Sequence, residues 1–451
     1  MDISDLSFVL HRIFGFAKSQ IIHVALLFTS FFAFAQVDVV GSEKILININ
    51  GSSLKIPYFS NHDLSVQNMS IKYFVLVVHG ANRDADVYYN NMMTAASLSS
   101  VDMDSVLIIA PQFLTNLDID SHNLDNEHLY WTDGGWSDGS VSLNEITNPR
   151  PEEISSYAVL DTMILRLTEY FPNAEALVFT GHSAGGQLTN RYAATTPFPD
   201  ILCTQHEISS KFIIANSGSY LYLDNKRRVN GTIDQFAPPI TFCSGYNDWR
   251  YGLANLFTYP ASFGEDSIKN TLGTREVVYL LGANDNNPQA SGLDVSCQAI
   301  LQGNHRLERG SIYFNYVNFF YGIGVTNLHS LDTVSNVGHD NFLMYTSDIG
   351  LFHLFESWPS SCEISTVFIS ESTNASIQIY PNPAQNFIQV NSLAANASIA
   401  LINLSGMKIL DIQNINDEDF LINIEGLEQG IYIFEYRAEN ILLRKLIVKN
   451  L

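Results

Sequence analysis

Ala176 to Gly186 reads ALVFTGHSAGG: a short apolar run, then the pentapeptide Gly181-His182-Ser183-Ala184-Gly185 and a further glycine. Gln187 to Ala194 behind it has the spacing of a helix,. A run apolar at every position predicts a strand buried on both faces. Glycines two residues either side of Ser183 allow a sharp strand-to-helix turn that lifts the serine above the sheet edge. The helix start adds free N–H groups and a positive dipole end, both suited to developing negative charge. A Gly-x-Ser-x-Gly alone is weak, arising by chance about 0.15 times in a chain this long at ordinary Gly and Ser usage. Its place between strand and helix gives it weight. The plainer alternative is a glycine-rich turn with an incidental serine.

Outward from this stretch, similar runs recur at Ile71–Val78, Val106–Ala110, Lys211–Ala215 and Val277–Leu281. Ser155–Tyr170 carries apolar residues at helical spacing,. Alternation of buried strands with helices predicts an α/β fold, a mainly parallel sheet covered by helices.

A serine nucleophile needs a base, and the base an orienting acid, in the chain order Ser, Asp or Glu, His when the serine sits on such a turn. Downstream histidines are His206, His305, His329, His339 and His353. His339 stands in Val337-Gly338-His339-Asp340, just after Ser330–Asn336, which suits the last strand of the sheet. His305 and His353 read as surface and packing residues. For the acid, Asp285 follows the strand at Val277–Leu281 in a loop dense in turn residues; Asp248 and Asp294 are its rivals. An Asx-turn is the ordinary use of a loop aspartate. The oxyanion donors are expected to be the backbone N–H of Ala184 and that of Ala81 or Asn82, in Val78-His79-Gly80-Ala81-Asn82,. Tyr130-Trp131-Thr132-Asp133-Gly134-Gly135-Trp136 lies in a long insertion, where the rings either stack on a sugar or aromatic group or pack the insertion down,. No Cys/His cluster has metal-ligand spacing, so neither a metal nor a cofactor is expected.

With 46 Asp and Glu against 23 Lys and Arg, the formal charge is −23, which argues against nucleic acid as a partner,. Lys18, the apolar stretch Ile21–Phe34 and Ala33-Phe34-Ala35 read as a secretory signal removed near Gln36,. A retained membrane helix is the weaker reading of so short a run. Cys203, Cys243, Cys297 and Cys362 are an even set in an exported chain and suggest two disulfides, with three pairings open,. Near residue 365 the pattern changes. We expect a signal at 1–35, the α/β domain at 36–365, a linker at 366–375 and a small all-β domain, a β-sandwich, at 376–451.

Residues 71–342 resemble the α/β-hydrolase superfamily, especially secreted members with His-Gly-x-x-Arg after the third strand and GHSAGG at the turn. Asn247–Leu253, Cys297–Arg309 and Gly338–Met344 resemble the same group. The resemblance implies Ser183, Asp285 and His339 as a triad, Ala81 and Ala184 as the oxyanion hole, and carboxylic esters as substrates. An amide or peptide bond, or a binding protein without turnover, are the other readings it leaves. The C-terminal segment resembles type IX secretion sorting domains, on Ile379-Tyr380-Pro381-Asn382-Pro383, Ser405-Gly406, Gly430-Ile431-Tyr432-Ile433 and Arg444–Val448. That implies passage through the periplasm, the outer-membrane secretion machinery as a partner, and a secreted or cell-surface destination. A carbohydrate-binding or adhesive β-module is the rival.

Overall fold

Asn50 and Gly51, at φ 49° and 79°, close a two-residue turn between β1 (Glu43–Ile49) and β2 (Ser52–Ser60). Turns of this kind match the twist of the strands they join. This hairpin opens the computed structural model, which describes residues 36–322, 325, 327–359, 362, 378–382, 384–391, 395–403, 408–417, 419–438 and 441–449. The expected signal at 1–35 and linker at 366–375 lie outside the described residues.

Six further strands complete one sheet: β3 (Tyr73–Val78), β4 (Val106–Pro111), β5 (Ala176–His182), β6 (Ser209–Ala215), β7 (Glu276–Gly282) and β8 (His329–Val334). Their order is β1-β2-β4-β3-β5-β6-β7-β8. β2 runs antiparallel to β4, and every neighbouring pair from β4 to β8 is parallel. The crossover from β3 to β4 passes through α1 (Ala85–Leu98). On one face, Val75, Val77, Val178, Ile213 and Leu280 pack against Tyr88 and Met92 of α1 and against Met344 and Leu354 near the end of the domain. On the other, Phe74, Leu76, Phe179 and Phe212 meet α2 (Ser156–Tyr170), α3 (Ala184–Thr195) and α5 (Arg306–Tyr321), with α4 (Phe198–His206) following α3. Two buried faces explain the continuously apolar strands; each buried Val, Leu or Phe contributes ~1.5–3 kcal/mol. This strand order, with its single exchange of β3 and β4 and its helices on both faces, is the α/β-hydrolase fold.

α3 begins at Ala184, earlier than the Gln187 suggested by apolar spacing, because Gly185 and Gly186 are helical. Both are needed for close approach. A Cβ on Gly185 would stand 2.3 Å from the carbonyl oxygen of Val78. Gly185→Ala is therefore expected to push the end of β3 off the start of α3, costing about 1–3 kcal/mol in a urea melt.

Tyr130, Trp131 and Trp136 are fully buried, and Trp136 stacks on Phe113 (5.7 Å) and tilts against His79 (4.6 Å). Of the two uses expected for these rings, packing is the one observed. Of the two disulfides expected, Cys243–Cys297 is formed. Cys203, on α4, and Cys362 remain thiols in hydrogen-bonding contact; burial, then that contact, pushes the Cys362 thiol up to about 12. The described residues between 378 and 449 form two small antiparallel sheets, of three and four strands, around a core that includes Ile388, Val390, Leu401, Phe434 and Tyr436. No helix among the described residues is long and apolar enough to cross a membrane.

Candidate active site

Ser183 is the residue on which β5 turns into α3, and its backbone lies at φ 61°, ψ −118°. A side chain with Cβ is rarely held there, and such strain concentrates at functional sites. The strain has a support: the Ser183 N–H donates to the carbonyl of Ala215 at the end of β6 (3.0 Å). Its side chain is left half-exposed above the sheet.

His339 and Asp285 come to it from the ends of the next strands. β7 ends at Gly282, and the turn after it carries Asp285, buried to 3% exposure. β8 ends at Val334, and its following loop carries His339, which is exposed. His339 Nδ1 lies 2.7 Å from Asp285 Oδ2, and His339 Nε2 lies 2.9 Å from Ser183 Oγ. An ionised carboxylate only accepts, so Nδ1 carries the proton and donates it to Asp285. Nε2 is then free to accept from the serine hydroxyl. The rival acids point elsewhere: Asp248 accepts from Asn255 Nδ2, and Asp294 from the Tyr251 hydroxyl. His305 caps α5, and His353 bonds Asp332.

The N–H groups of Ala81 and Ala184 have no acceptor among the described residues. Ala184 is the first residue of α3, where an N–H has no helical partner. The turn carrying Ala81 is heavily braced. His79 Nε2 accepts from the Phe113 N–H (3.0 Å), so Nδ1 is the protonated nitrogen and donates to the Gly80 carbonyl (2.8 Å). Burial lowers the His79 pKa to about 4, which keeps that neutral tautomer. Arg83 and Asp118, both fully buried, pair through Nε and Oδ2 at 2.8 Å. That ion pair ties the turn to the insertion after β4.

Three supporting residues escaped the sequence reading. Arg306, the first residue of α5, sets Nη1 3.4 Å from Asp285 Oδ1, so the acid is held from both sides. Asn216 sits at φ 42° after β6; its Oδ1 accepts from the Gly282 N–H (2.7 Å) and its Nδ2 donates to the Gly338 carbonyl (3.0 Å). One side chain thus ties the acid's strand to the loop bearing His339. His182 tilts against His339 with ring centres 4.5 Å apart. Its Nε2 faces Asn216 Nδ2 (3.3 Å) and its Nδ1 the Tyr88 hydroxyl (3.2 Å). Burial, then the neighbouring His339 and Arg306, hold the His182 pKa well below the usual histidine range. The ring beneath His339 is therefore neutral at working pH. Of these, only a polar residue directly after a buried strand, as at Asn216, leaves a trace in the sequence.

Arg306→Met removes the second hold on Asp285. On the ester substrates that the sequence resemblance implies, it is expected to lower kcat about 10- to 100-fold through misplacement of Asp285, with KM little changed.

Fold and site geometry together define an α/β-hydrolase domain with a Ser–His–Asp line of hydrogen bonds. The C-terminal part has a family of its own: residues 378–449 match the secretion system C-terminal sorting domain. The protein is accordingly a secreted or cell-surface one. Among solved structures, the chain is similar to a poly(aspartic acid) hydrolase-1 from Sphingomonas sp. KT-1, at 21% identity over 68% of this chain and 96% of that one, with TM-score 0.41. It is also similar to a poly(3-hydroxybutyrate) depolymerase from Bordetella parapertussis, at 19% identity over 72% of this chain and 94% of that one, with TM-score 0.46. An esterase from Pyrococcus furiosus is similar at 13% identity over 70% of this chain and 91% of that one, with TM-score 0.33. No curated protein sequence matches the chain.

Proposed function

We propose that the protein is an exported serine hydrolase that cleaves carboxylic esters through an acyl-enzyme on Ser183. One observation carries this reading: the unbroken line from Asp285 Oδ2 through His339 to Ser183 Oγ, at 2.7 and 2.9 Å, on a strained serine with free N–H groups beside it.

Ser183 Oγ attacks the ester carbonyl while His339 Nε2 takes its proton, and Asp285 stabilises the imidazolium that forms. The carbonyl oxygen, now an oxyanion, sits between the N–H groups of Ala81 and Ala184; each such donor is worth ~3 kcal/mol in the transition state. The tetrahedral species collapses and the alcohol leaves with the proton from His339. Water, deprotonated by the same nitrogen, then attacks the acyl-enzyme and releases the acid and free Ser183. None of these steps calls on a metal or a cofactor. Ser183 is half-exposed and His339 exposed, so an ester can reach the site from solvent.

The test is hydrolysis of p-nitrophenyl esters of increasing acyl length by the full exported chain. Turnover is the expected result. A folded protein that turns over no ester yet takes up a fluorophosphonate on Ser183 has an amide as its substrate, and the ester part of the proposal then fails.

A further inference from the structure

Positive charge is concentrated beside the site, in a chain whose formal charge is −23. On α3, Gln187 and Arg191 follow Ser183 at one and two turns, on one face of the helix,. Arg191 is fully buried and pairs with no carboxylate among the described residues. Its N–H groups go to the carbonyls of Arg250 and Ser137, both at 3.1 Å, and to Ser219 Oγ at 3.0 Å, with Gln187 Oε1 at 3.4 Å. Arg309, also fully buried, donates to the carbonyls of Gly218 and Gly303 and likewise has no carboxylate partner among them. Arg306 shares Asp285 with His339. Asp138 offsets Arg191 and Asp294 offsets Arg309 through space rather than by contact, and in a poor dielectric such fields reach further.

Arg250 is the outermost of the four. Of its side chain 39% is exposed, and its one ion pair among the described residues is a single contact of 3.4 Å with Asp138 Oδ2. Ser140 Oγ donates to the other oxygen of Asp138, and burial pushes its carboxyl above the usual range against the pull of Arg191 and Arg250. At 1.5 Å rise per residue Arg191 stands about 12 Å along the helix from Ser183. Helical side chains lean back toward the N-terminus, and the Arg191 head meets Gln187 and the Arg250 backbone,. That places the Arg250 backbone on the order of 10 Å from the nucleophile, and its guanidinium lies partly exposed over the Tyr251 ring at 5.4 Å.

We infer that Arg250 receives a carboxylate of the substrate, so that the preferred ester carries an anionic group in its acyl or its alcohol part. The inference rests on the hydrolase reading above. A carboxylate matches the planar fork of a guanidinium. The buried charge of Arg191 behind it adds attraction without competing for contact, and a local excess of one sign focuses an oppositely charged ligand.

The test uses the full chain and two pairs of esters. One pair puts the charge on the acyl side: p-nitrophenyl suberate monoester against p-nitrophenyl octanoate. The other puts it on the alcohol side: 4′-carboxybiphenyl-4-yl acetate against biphenyl-4-yl acetate. In at least one pair the anionic ester is expected to exceed its neutral analogue about tenfold in kcat/KM, the difference lying in KM. Arg250→Gln removes that preference, Arg250→Lys keeps part of it, and added salt weakens it. Equal values within both pairs, or a preference that survives Arg250→Gln in a protein whose thermal melt is intact, overturn the inference while leaving the hydrolase reading in place. No turnover of any of the four, with no fluorophosphonate uptake by Ser183, overturns both.

Discussion

Ser183→Ala is expected to lower kcat/KM for a p-nitrophenyl ester by roughly 10⁴- to 10⁶-fold. The variant deletes one oxygen and leaves the Cβ, so the turn at φ 61° is held as before by the Ala215 carbonyl and by Gly185 against Val78. A thermal melt should therefore coincide with that of the parent. What remains is catalysis by the two N–H donors and by His339 acting on water, since oxyanion binding alone still accelerates hydrolysis above the uncatalysed rate. A loss below tenfold would mean that water, not the serine, attacks the ester.

Asp285→Asn should lower kcat by about 10⁴-fold, for a different reason. The carboxamide can turn its NH₂ toward His339 Nδ1, which must then accept. The proton moves to Nε2, and the imidazole can no longer take the one on Ser183. This variant also disturbs the fold. Arg306, at 1% exposure, loses the carboxylate it now contacts at 3.4 Å, and stranding a buried charge costs about 3–5 kcal/mol. Asp285→Asn is thus expected to be both inactive and less stable. Combined with Arg306→Met it should recover stability without activity, because the stranded charge is gone while the wrong tautomer stays. Urea melts beside ester kinetics on the two single variants and the double separate these effects. Recovery of activity in the double variant would show that Asp285 acts only by neutralising Arg306.

The sheet is legible in the sequence because strands buried on both faces must be apolar throughout, and the runs at Val106–Ala110, Ala176–Thr180 and Val277–Leu281 are,. The β1–β2 hairpin is written there too, in Asn50-Gly51 between alternating segments, a turn signal that strand-by-strand reading passes over,. Ser183, Asp285 and His339 can be picked out because each directly follows, or closely follows, a strand end, and parallel strands gather their C-terminal ends along one edge. The supporting roles of Arg306 and His182 cannot, because they depend on contacts with residues far away in sequence, and Asn216 leaves only the trace of a polar residue directly after a buried strand. Arg306 is an ordinary helix-start residue until α5 is docked beside the turn that carries Asp285. The aromatic insertion fails for a related reason: composition gives ring count, whereas burial beneath His79 decides whether a ring meets a ligand or the core.

The most direct measurement is the intact mass of the full chain after reaction with a fluorophosphonate, followed by peptide mapping. A single adduct on Ser183, absent from Ser183→Ala and strongly slowed in His339→Ala, is the predicted result. A folded protein that takes up no label, or takes it up on another residue, would contradict the assignment of Ser183 as an activated nucleophile.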